Sequence, residues 1–325
     1  MQHSIITQNG QILTQPGLNP ATTLACLEGV LAAYALYNKG TFQVPTGYKP
    51  IAKFTGWDRF FFFFGEEESF GIIFQSLSDP QTLLVAVRGT QSKLDIYEDL
   101  WANKVNFQPF HSSQNFPKDV GVASGFNSIY TETGNNMTAS MQQQIMEKIS
   151  SMKGIKKVIV TGHSLGGALC SLLALDLAVS LPTLEVVNYT FASPRVGGSV
   201  WKSTYETQYK LEPKTYRIAN YKDFVPSLPP KILGYQHVGM TFLVNFFVKN
   251  HYIPHPFCRH SLSNYQTVLQ KAVDANPQHW YGEFHDRSTP DSTLTMMSTA
   301  IPSVEVPEWA TEHRTFEENL MKGMK

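Results

Sequence analysis

The stretch Val158-Ile-Val-Thr-Gly-His-Ser-Leu-Gly-Gly-Ala-Leu-Cys170 decides the fold of this chain. It opens with three β-branched residues, Val158 to Val160, which are typical of a buried strand. An apolar helix pattern follows from Ala168 to Ala178. Between strand and helix lies Gly162-His-Ser-Leu-Gly166, which fits the G-x-S-x-G pattern of a nucleophile elbow.

The elbow spacing has a physical reason. A strand that turns at once into a helix forces its central residue into a strained backbone conformation, and the flanking positions have almost no room for side chains. Gly162 and Gly166 meet that requirement, and the hydroxyl of Ser164 is lifted clear of the sheet in front of a helix N-terminus. A Gly/Ser turn with no chemistry is the alternative, but the strand before and the helix after favour a nucleophile.

The bulk composition narrows the classes of function. The chain has 325 residues, of which 42% are hydrophobic, so it can bury a sizeable core. Its 26 Lys and Arg balance 26 Asp and Glu, so nothing indicates a nucleic-acid partner. Neither a repeat nor a linker is evident. We therefore predict one domain over residues 1–325, in which about 275–325 form a polar C-terminal extension.

Targeting and redox signals are sparse. Cys26, Cys170 and Cys258 provide neither a disulfide framework nor zinc-ligand spacing, and we predict no metal site. The N-terminus lacks a basic segment followed by an apolar one, so we predict no Sec-type signal and a protein that is cytoplasmic or exported by a signal-independent route. The apolar stretch from Thr23 to Tyr37 is too short to span a bilayer.

Strand and helix patterns alternate from about residue 70 to residue 220, which predicts βαβ units and a mostly parallel central sheet flanked by helices. A helix is predicted over Pro20 to Asn38, and residues 40–57 are predicted to be loop with short extended pieces. The run Phe60 to Phe64 is predicted to be a buried strand, with a lipid-facing patch as the alternative.

A serine nucleophile needs a base, and the base needs an acid that orients it. In folds with such an elbow the acid and then the base follow the serine along the chain. Asp223 comes directly after the strand pattern Thr215 to Ala219, which makes it the preferred acid. The alternatives lie within helices, in the loop that follows one, or at the start of a strand; they are Asp176, Glu185, Glu206 and Glu212.

The base is less well determined by the residues alone. Several histidines follow Asp223: His237, His251, His255, His260, His279, His285 and His313. His260 precedes a helical pattern in which Leu262, Tyr265 and Leu269 share one face, so it is the best anchored of the set. Position alone does not decide among them.

Several motifs together resemble one family. They run in the same order from about residue 70 to 270: Arg88-Gly-Thr90, Gly162-His-Ser-Leu-Gly-Gly167, Phe191-Ala-Ser-Pro-Arg-Val-Gly197, Asp223-Phe-Val-Pro226, Tyr235-Gln-His-Val-Gly239 and His260-Ser-Leu-Ser-Asn-Tyr265. In this combination the chain resembles the class 3, or fungal-type, lipases of the α/β-hydrolase superfamily. The resemblance implies an α/β-hydrolase fold with a lid segment over the site.

The resemblance also implies roles for individual residues. Ser164 would be the nucleophile, Asp223 the acid and His260 the base. The backbone N–H groups of Thr90 and Leu165 would form the oxyanion hole, in line with the rule that one donor follows the nucleophile and another follows an earlier strand. The lid would lie at about Gln91 to Glu98.

These residues predict a carboxylic ester hydrolase, most simply a lipase that cleaves acylglycerols through an acyl-enzyme on Ser164 and needs no metal or organic cofactor. A phospholipase or a short-chain esterase is the alternative within the enzymes. A catalytically silent lipase-like binding module is the alternative outside them. The expected partner is a lipid or other ester, met in solution or at a lipid–water interface.

Overall fold

The computed structural model describes residues 3–6, 12–15, 18–58, 66–90, 103–112, 114–134, 137–220, 223–245, 259–275 and 297–298. Three predicted features lie wholly or mostly outside these ranges. They are the run Phe60 to Phe64, the lid at Gln91 to Glu98, and the C-terminal extension of residues 275–325.

The described strands are β1 (His3–Ile6), β2 (Ile12–Gln15), β3 (Tyr48–Asp58), β4 (Glu66–Ser76), β5 (Thr82–Val87), β6 (Lys104–Asn106), β7 (Gly121–Ala123), β8 (Lys157–His163), β9 (Glu185–Phe191), β10 (Thr215–Asn220), β11 (Met240–Asn245) and β12 (Met297–Ser298). The α-helices are α1 (Pro20–Lys39), α2 (Ser124–Thr131), α3 (Met141–Ser150), α4 (Leu165–Ser180), α5 (Ser199–Ser203) and α6 (Leu262–Ala275). A π-helical turn covers Thr204–Gln208, and 3₁₀ turns cover Glu212–Lys214, Val225–Ser227 and Lys231–Leu233.

The central sheet has the strand order β12-β11-β10-β9-β8-β5-β4-β3. Every pair from β12 to β5 is parallel, whereas β5 with β4 and β4 with β3 are antiparallel. The prediction of a mostly parallel sheet flanked by helices is thus confirmed. Two small antiparallel pairs, β1 with β2 and β6 with β7, lie apart from it.

Strand β3 corrects the prediction that residues 40–57 form a loop. It runs beside β4 for eleven residues, with register shifts at Pro50 and near Phe54. Only Phe54 among its described side chains is deeply buried, since β3 lies at the end of the sheet formed by the described strands. A strand at the end of a sheet tolerates Pro, and its apolar and polar residues alternate only weakly. Its sequence therefore carries little of the signal used to recognise strands.

The two faces of the sheet support separate hydrophobic clusters. Strand β5 illustrates the alternation: Leu83, Val85 and Val87 belong to the cluster under α2, α3 and α4, whereas Leu84 and Ala86 belong to the cluster under α1 and α6. All six residues of β5 are buried, as expected of a parallel strand covered on both faces. Helices α1 and α6 pack side by side on the second face.

The register of the parallel strands places several connecting loops at one edge. Val87 at the end of β5 is level with Gly162 near the end of β8. Carboxyl ends of parallel strands meet at one edge, so the Arg88–Thr90 loop, the elbow and the loop after β10 converge there. Crevices at this edge are where α/β sheets bind ligands.

A buried carboxylate connects α4 by hydrogen bonds to α2, α3 and a neighbouring loop. Asp176 is fully buried and accepts hydrogen bonds from the backbone N–H of Phe110 and the hydroxyls of Tyr130 and Ser180. The side-chain amide of Gln142 donates a fourth bond at 2.6 Å. Because these donors come from a loop, α2, α3 and α4 itself, Asp176 fixes the helix that follows the elbow.

We predict that Asp176→Asn destabilises the protein. The NH₂ group of the new amide would meet hydrogen-bond donors that now bond to the carboxylate. The free energy of unfolding should therefore fall by about 2–4 kcal/mol. Urea unfolding followed by circular dichroism measures the loss. Ser180→Ala is the control, because it removes one of the four donors from a half-buried position and should cost about 1 kcal/mol or less. Equal unfolding midpoints for Asp176→Asn and wild type would contradict the role of the carboxylate.

Candidate active site

The elbow residue Ser164 has φ 57° and ψ −128°, a strained backbone conformation for a residue with a side chain. The strain is held by its neighbours. The Ser164 N–H donates to the Phe191 carbonyl at 2.9 Å, and the Ser164 carbonyl accepts from the Gly167 N–H at 2.9 Å. A Cβ on Gly162 would lie 2.3 Å from the Gly166 carbonyl oxygen, so strand and helix touch backbone to backbone.

The structure brings the three predicted side chains into one hydrogen-bonded row. The Nε2 atom of His260 lies 2.8 Å from the Ser164 hydroxyl, and its Nδ1 atom lies 2.7 Å from Oδ2 of Asp223. Asp223 is fully buried. A carboxylate oxygen accepts hydrogen bonds, so Nδ1 of His260 donates to Asp223 and carries the proton. Nε2 is then the acceptor for the serine proton, which is the tautomer that a general base requires.

Tyr265 and Asn220 hold the acid and the base in place. The Asp223 carboxylate accepts from the Val225 N–H at 3.0 Å and from the Tyr265 hydroxyl at 3.5 Å. The Tyr265 hydroxyl in turn accepts from the Asn220 N–H at 2.6 Å, and the Asn220 amide reaches the Arg259 carbonyl beside the base at 3.1 Å. The end of β10 is thereby tied to the start of α6.

The two predicted oxyanion residues flank the elbow. Leu165 is the first residue of α4, where the backbone N–H has no partner within the helix. Thr90 is half-buried and follows Gly89, whose missing Cβ would lie 3.0 Å from the Ser164 Cβ and 2.6 Å from the His163 carbonyl oxygen. The Gly89–Thr90 peptide therefore lies directly against the nucleophile.

Arg88 fixes the orientation of that peptide. Its Nη1 atom donates to the Gly89 carbonyl at 2.8 Å, and a trans peptide is planar, so the Thr90 N–H points the opposite way. The guanidinium is buried, is paired with Glu68, and lies between the rings of Tyr37 and Phe70. Its charge is thus neutralised and its position is rigid.

His163, the residue before the nucleophile, is also buried and was not predicted to have a role. Its Nδ1 atom lies 2.9 Å from the Tyr34 hydroxyl, and its Nε2 atom donates to the His260 carbonyl at 2.7 Å. Burial, assisted by the nearby His260, holds the pKa of His163 well below its usual range, so this imidazole stays neutral. Tyr34 lies on α1, far from the elbow in sequence, and no local signal identifies it.

The alternative acids and bases have other partners. Asp176 belongs to the helix network, and Glu206 pairs with Lys202 and accepts from the Gly239 N–H. Glu185 pairs with Lys157. Glu212 opens a 3₁₀ turn before β10, and His237 bonds to the Pro226 carbonyl at 2.7 Å. The remaining alternative bases lie outside the described residues: His251, His255, His279, His285 and His313.

Within the described ranges, no group of three or more His, Cys, Asp or Glu side chains is arranged to hold a metal ion. No described helix is both long enough and apolar enough to cross a bilayer. Cys26 and Cys170 are buried free thiols. A cavity of about 500 Å³ opens near the amino-terminal ends of β10 and β11, lined by Arg217, Lys231 and Tyr235 among others, and it includes no member of the hydrogen-bonded row.

Comparison with known proteins identifies relatives of this chain. The family model described as lipase (class 3) matches residues 84–233. The secreted mono- and diacylglycerol lipase MDL2 of Malassezia globosa is 30% identical over 164 residues, which are 49% of this chain and 51% of that protein. A lipase of Rhizomucor miehei is 31% identical over 167 residues, 50% of this chain and 42% of that protein. The chain thus spans about half the length of the curated relatives it matches.

The fold has solved counterparts. The crystal structure of the Lip2 lipase from Yarrowia lipolytica matches with a TM-score of 0.53 at 22% identity, over 77% of this chain and 86% of that one. This likeness confirms the predicted fold, that of the α/β-hydrolases.

We predict that Gly166→Ala disrupts the elbow. The added Cβ would lie 2.5 Å from the carbonyl oxygens of Val87 and Arg88, so β5 and α4 would have to separate. Unfolding free energy should fall by about 2–3 kcal/mol, and labelling of Ser164 by an alkyl fluorophosphonate should slow. Gly121→Ala is the control, since the atom nearest its Cβ would be 3.8 Å away. If both variants matched wild type in stability and labelling, the close contact would be unimportant.

The neutral state of His163 predicts a pH dependence of stability. The unfolded chain binds a proton at His163 below about pH 6.5 whereas the folded chain does not, so stability falls as pH decreases. For His163→Asn this contribution is absent. Between pH 7.5 and 5.5 the wild-type protein should therefore lose about 1.4 kcal/mol more than the variant. Urea titrations at the two pH values test this, and identical losses would show that His163 titrates alike in both states.

Proposed function

From the match of residues 84–233 to the class 3 lipase model, we propose that this chain is a serine-dependent carboxylic ester hydrolase that cleaves acylglycerols. The observation that carries the proposal is His260, whose two ring nitrogens lie at 2.8 Å from the Ser164 hydroxyl and 2.7 Å from the Asp223 carboxylate. Nucleophile, base and orienting acid in this order are what acyl transfer from an ester requires.

The first half of the proposed reaction forms an acyl-enzyme. His260 accepts the Ser164 proton at Nε2 while Oγ attacks the ester carbonyl carbon. The carbonyl oxygen becomes an oxyanion and is stabilised by the backbone N–H groups of Thr90 and Leu165. Asp223 stabilises the imidazolium without taking its proton. Collapse of the tetrahedral intermediate breaks the ester C–O bond, and the alcohol leaves with the proton from Nε2 of His260.

The second half releases the acid. Water takes the place of the alcohol, gives a proton to His260 and attacks the acyl carbon. The same two N–H groups stabilise the second oxyanion, and Ser164 recovers its proton as the carboxylic acid departs. The residues of this chain and water supply every group in the cycle.

The orientation of the Gly89–Thr90 peptide supports this mechanism. Oxyanion donors are effective when they are held in place before charge develops, because no reorganisation is then needed during the reaction. Arg88, neutralised by Glu68 and confined by two aromatic rings, holds the Gly89 carbonyl in this way.

We predict that Ser164→Ala abolishes ester hydrolysis. Loss of the nucleophile should reduce kcat by roughly 10⁴-fold or more, because the other members of the row cannot act alone. Release of p-nitrophenol from esters of short to long acyl chains, below and above the solubility limit, provides the measurement. Ser171→Ala, on the helix that follows the elbow, is the matched control, since its hydroxyl bonds to the Gly167 carbonyl and takes no part in the reaction.

The substrate series separates the alternatives. A rate increase above the solubility limit for long chains supports the lipase, and turnover confined to short soluble esters would make the protein an esterase instead. Parallel assays with dioleoylglycerol and with phosphatidylcholine dispersions decide between acylglycerols and phospholipids. If wild type and Ser164→Ala were equally inactive on every ester, the protein would be a binding module.

A further inference from the structure

A row of hydrogen bonds runs behind the proposed catalytic groups from the oxyanion loop to the base. The Gly89 N–H lies 3.0 Å from the Tyr34 hydroxyl oxygen. That hydroxyl lies 2.9 Å from Nδ1 of His163, and Nε2 of His163 lies 2.7 Å from the His260 carbonyl oxygen. Four segments that are distant in sequence are connected by three bonds.

The ends of this row fix every proton within it. The Gly89 N–H can only donate and the His260 carbonyl can only accept. The Tyr34 oxygen therefore accepts from Gly89 and donates its own proton to Nδ1 of His163. Nε2 of His163 must carry the proton that it donates to His260. Because Nε2 faces a carbonyl, only one neutral tautomer of His163 satisfies both ends of the row, and the Tyr34 hydroxyl stabilises that tautomer by donating to Nδ1.

We propose that Tyr34 and His163 are positioning residues that set the oxyanion loop and the catalytic base at a fixed separation on either side of Ser164. The inference rests on the proposed hydrolase function. Tyr34 belongs to α1, which packs beside α6, the helix that follows the base. His163 shares the rigid elbow with Ser164. The nucleophile's own neighbour thus holds the base on one side and, through Tyr34, the Gly89 amide on the other.

The neutrality of His163 matters for the reaction as well as for the geometry. The rings of His163 and His260 have centroids 4.5 Å apart. His260 becomes an imidazolium in each half of the proposed reaction, and a second positive charge at this distance in a buried site would raise the energy of that state. Tyr34 opposes this, since its hydroxyl donates to Nδ1 of His163 and so stabilises the neutral imidazole.

The first test is Tyr34→Phe, which leaves the Gly89 N–H and Nδ1 of His163 without their partner. We expect kcat to fall about 10- to 100-fold with KM within about twofold of wild type. The acid limb of the kcat/KM profile should move to higher pH, because the neutral form of His163 then loses the hydrogen bond that favours it.

Tyr205→Phe is the matched control for Tyr34→Phe. Tyr205 is a buried tyrosine whose hydroxyl also has two partners, Asn188 and Thr215, away from the elbow. It should lower thermal stability without changing kcat or the pH profile.

Two substitutions at His163 separate the contributions of its two hydrogen bonds, one to Tyr34 and one to the His260 carbonyl. In His163→Asn the side-chain oxygen can accept from Tyr34 at the place of Nδ1, but no donor reaches the His260 carbonyl. In His163→Gln the longer amide can donate to the His260 carbonyl, but no acceptor faces Tyr34. Neither side chain titrates.

Double variants give the sharpest outcome. Adding Tyr34→Phe to His163→Asn should lower kcat by a larger factor than adding it to His163→Gln, where the bond from Tyr34 is already lost. In both backgrounds the acid limb should stay where the single His163 variant has it, because no second imidazole remains to be protonated there.

The same variants are compared by the rate at which an alkyl fluorophosphonate labels Ser164, with fluoride as the leaving group. This reaction needs the nucleophile, the base and the oxyanion hole but no lipid. It therefore measures how well these groups are positioned even if no ester is hydrolysed and the proposed function is wrong. Slower labelling of Tyr34→Phe than of Tyr205→Phe supports the proposal. Equal labelling, or equal kcat losses with unchanged pH profiles, would overturn it.

Discussion

The backbone of Ser164 is the constraint on which the rest of the structure depends. Its positive φ is unfavourable by about 1–3 kcal/mol, and such strain persists only where the surroundings over-determine it. Here β8 and α4 touch at Gly162 and Gly166 with no space for a Cβ. Buried Asp176 anchors α4 from the opposite side. The Ser164 hydroxyl is held facing His260 because the groups around it are packed too tightly for the backbone to relax.

Much of this architecture was predictable because its signals are local. The elbow is encoded by neighbouring residues, and the strands buried on both faces, β5 and β8 to β10, read as short apolar runs. Strand β3 was missed because a terminal strand is wetted on one side and admits Pro50. The antiparallel placement of β3 and β4 also has no counterpart in the alternation of strands and helices. It depends on the antiparallel pairing of β3 with β4, which an alternation of strands and helices does not predict.

The residues of the candidate site likewise differ in how far local sequence identifies them. Ser164 is apparent from a pattern of five residues, and Asp223 from its place after a strand. Among the histidines, position favoured His260, and only the resemblance to a family distinguished it from the others. Tyr34 and His163 escaped prediction because their contact depends on how α1 crosses the sheet. Tyr34 lies in an ordinary apolar helix and His163 lies inside the elbow motif, and only tertiary packing brings the two side chains together.

The placement of α1 and α6 side by side has a consequence for when the chain can be active. The stretch that matches the family, residues 84–233, contains the serine and the acid but neither Tyr34 nor His260. A folding intermediate with the parallel strands and α4 in place would hold a serine hydroxyl with no base beside it and no frame behind its oxyanion loop. If the chain is the proposed hydrolase, its activity should therefore appear only when the whole fold is complete. A molecule in which α6 has not yet packed beside α1 would lack the base and would be inert in the proposed reaction.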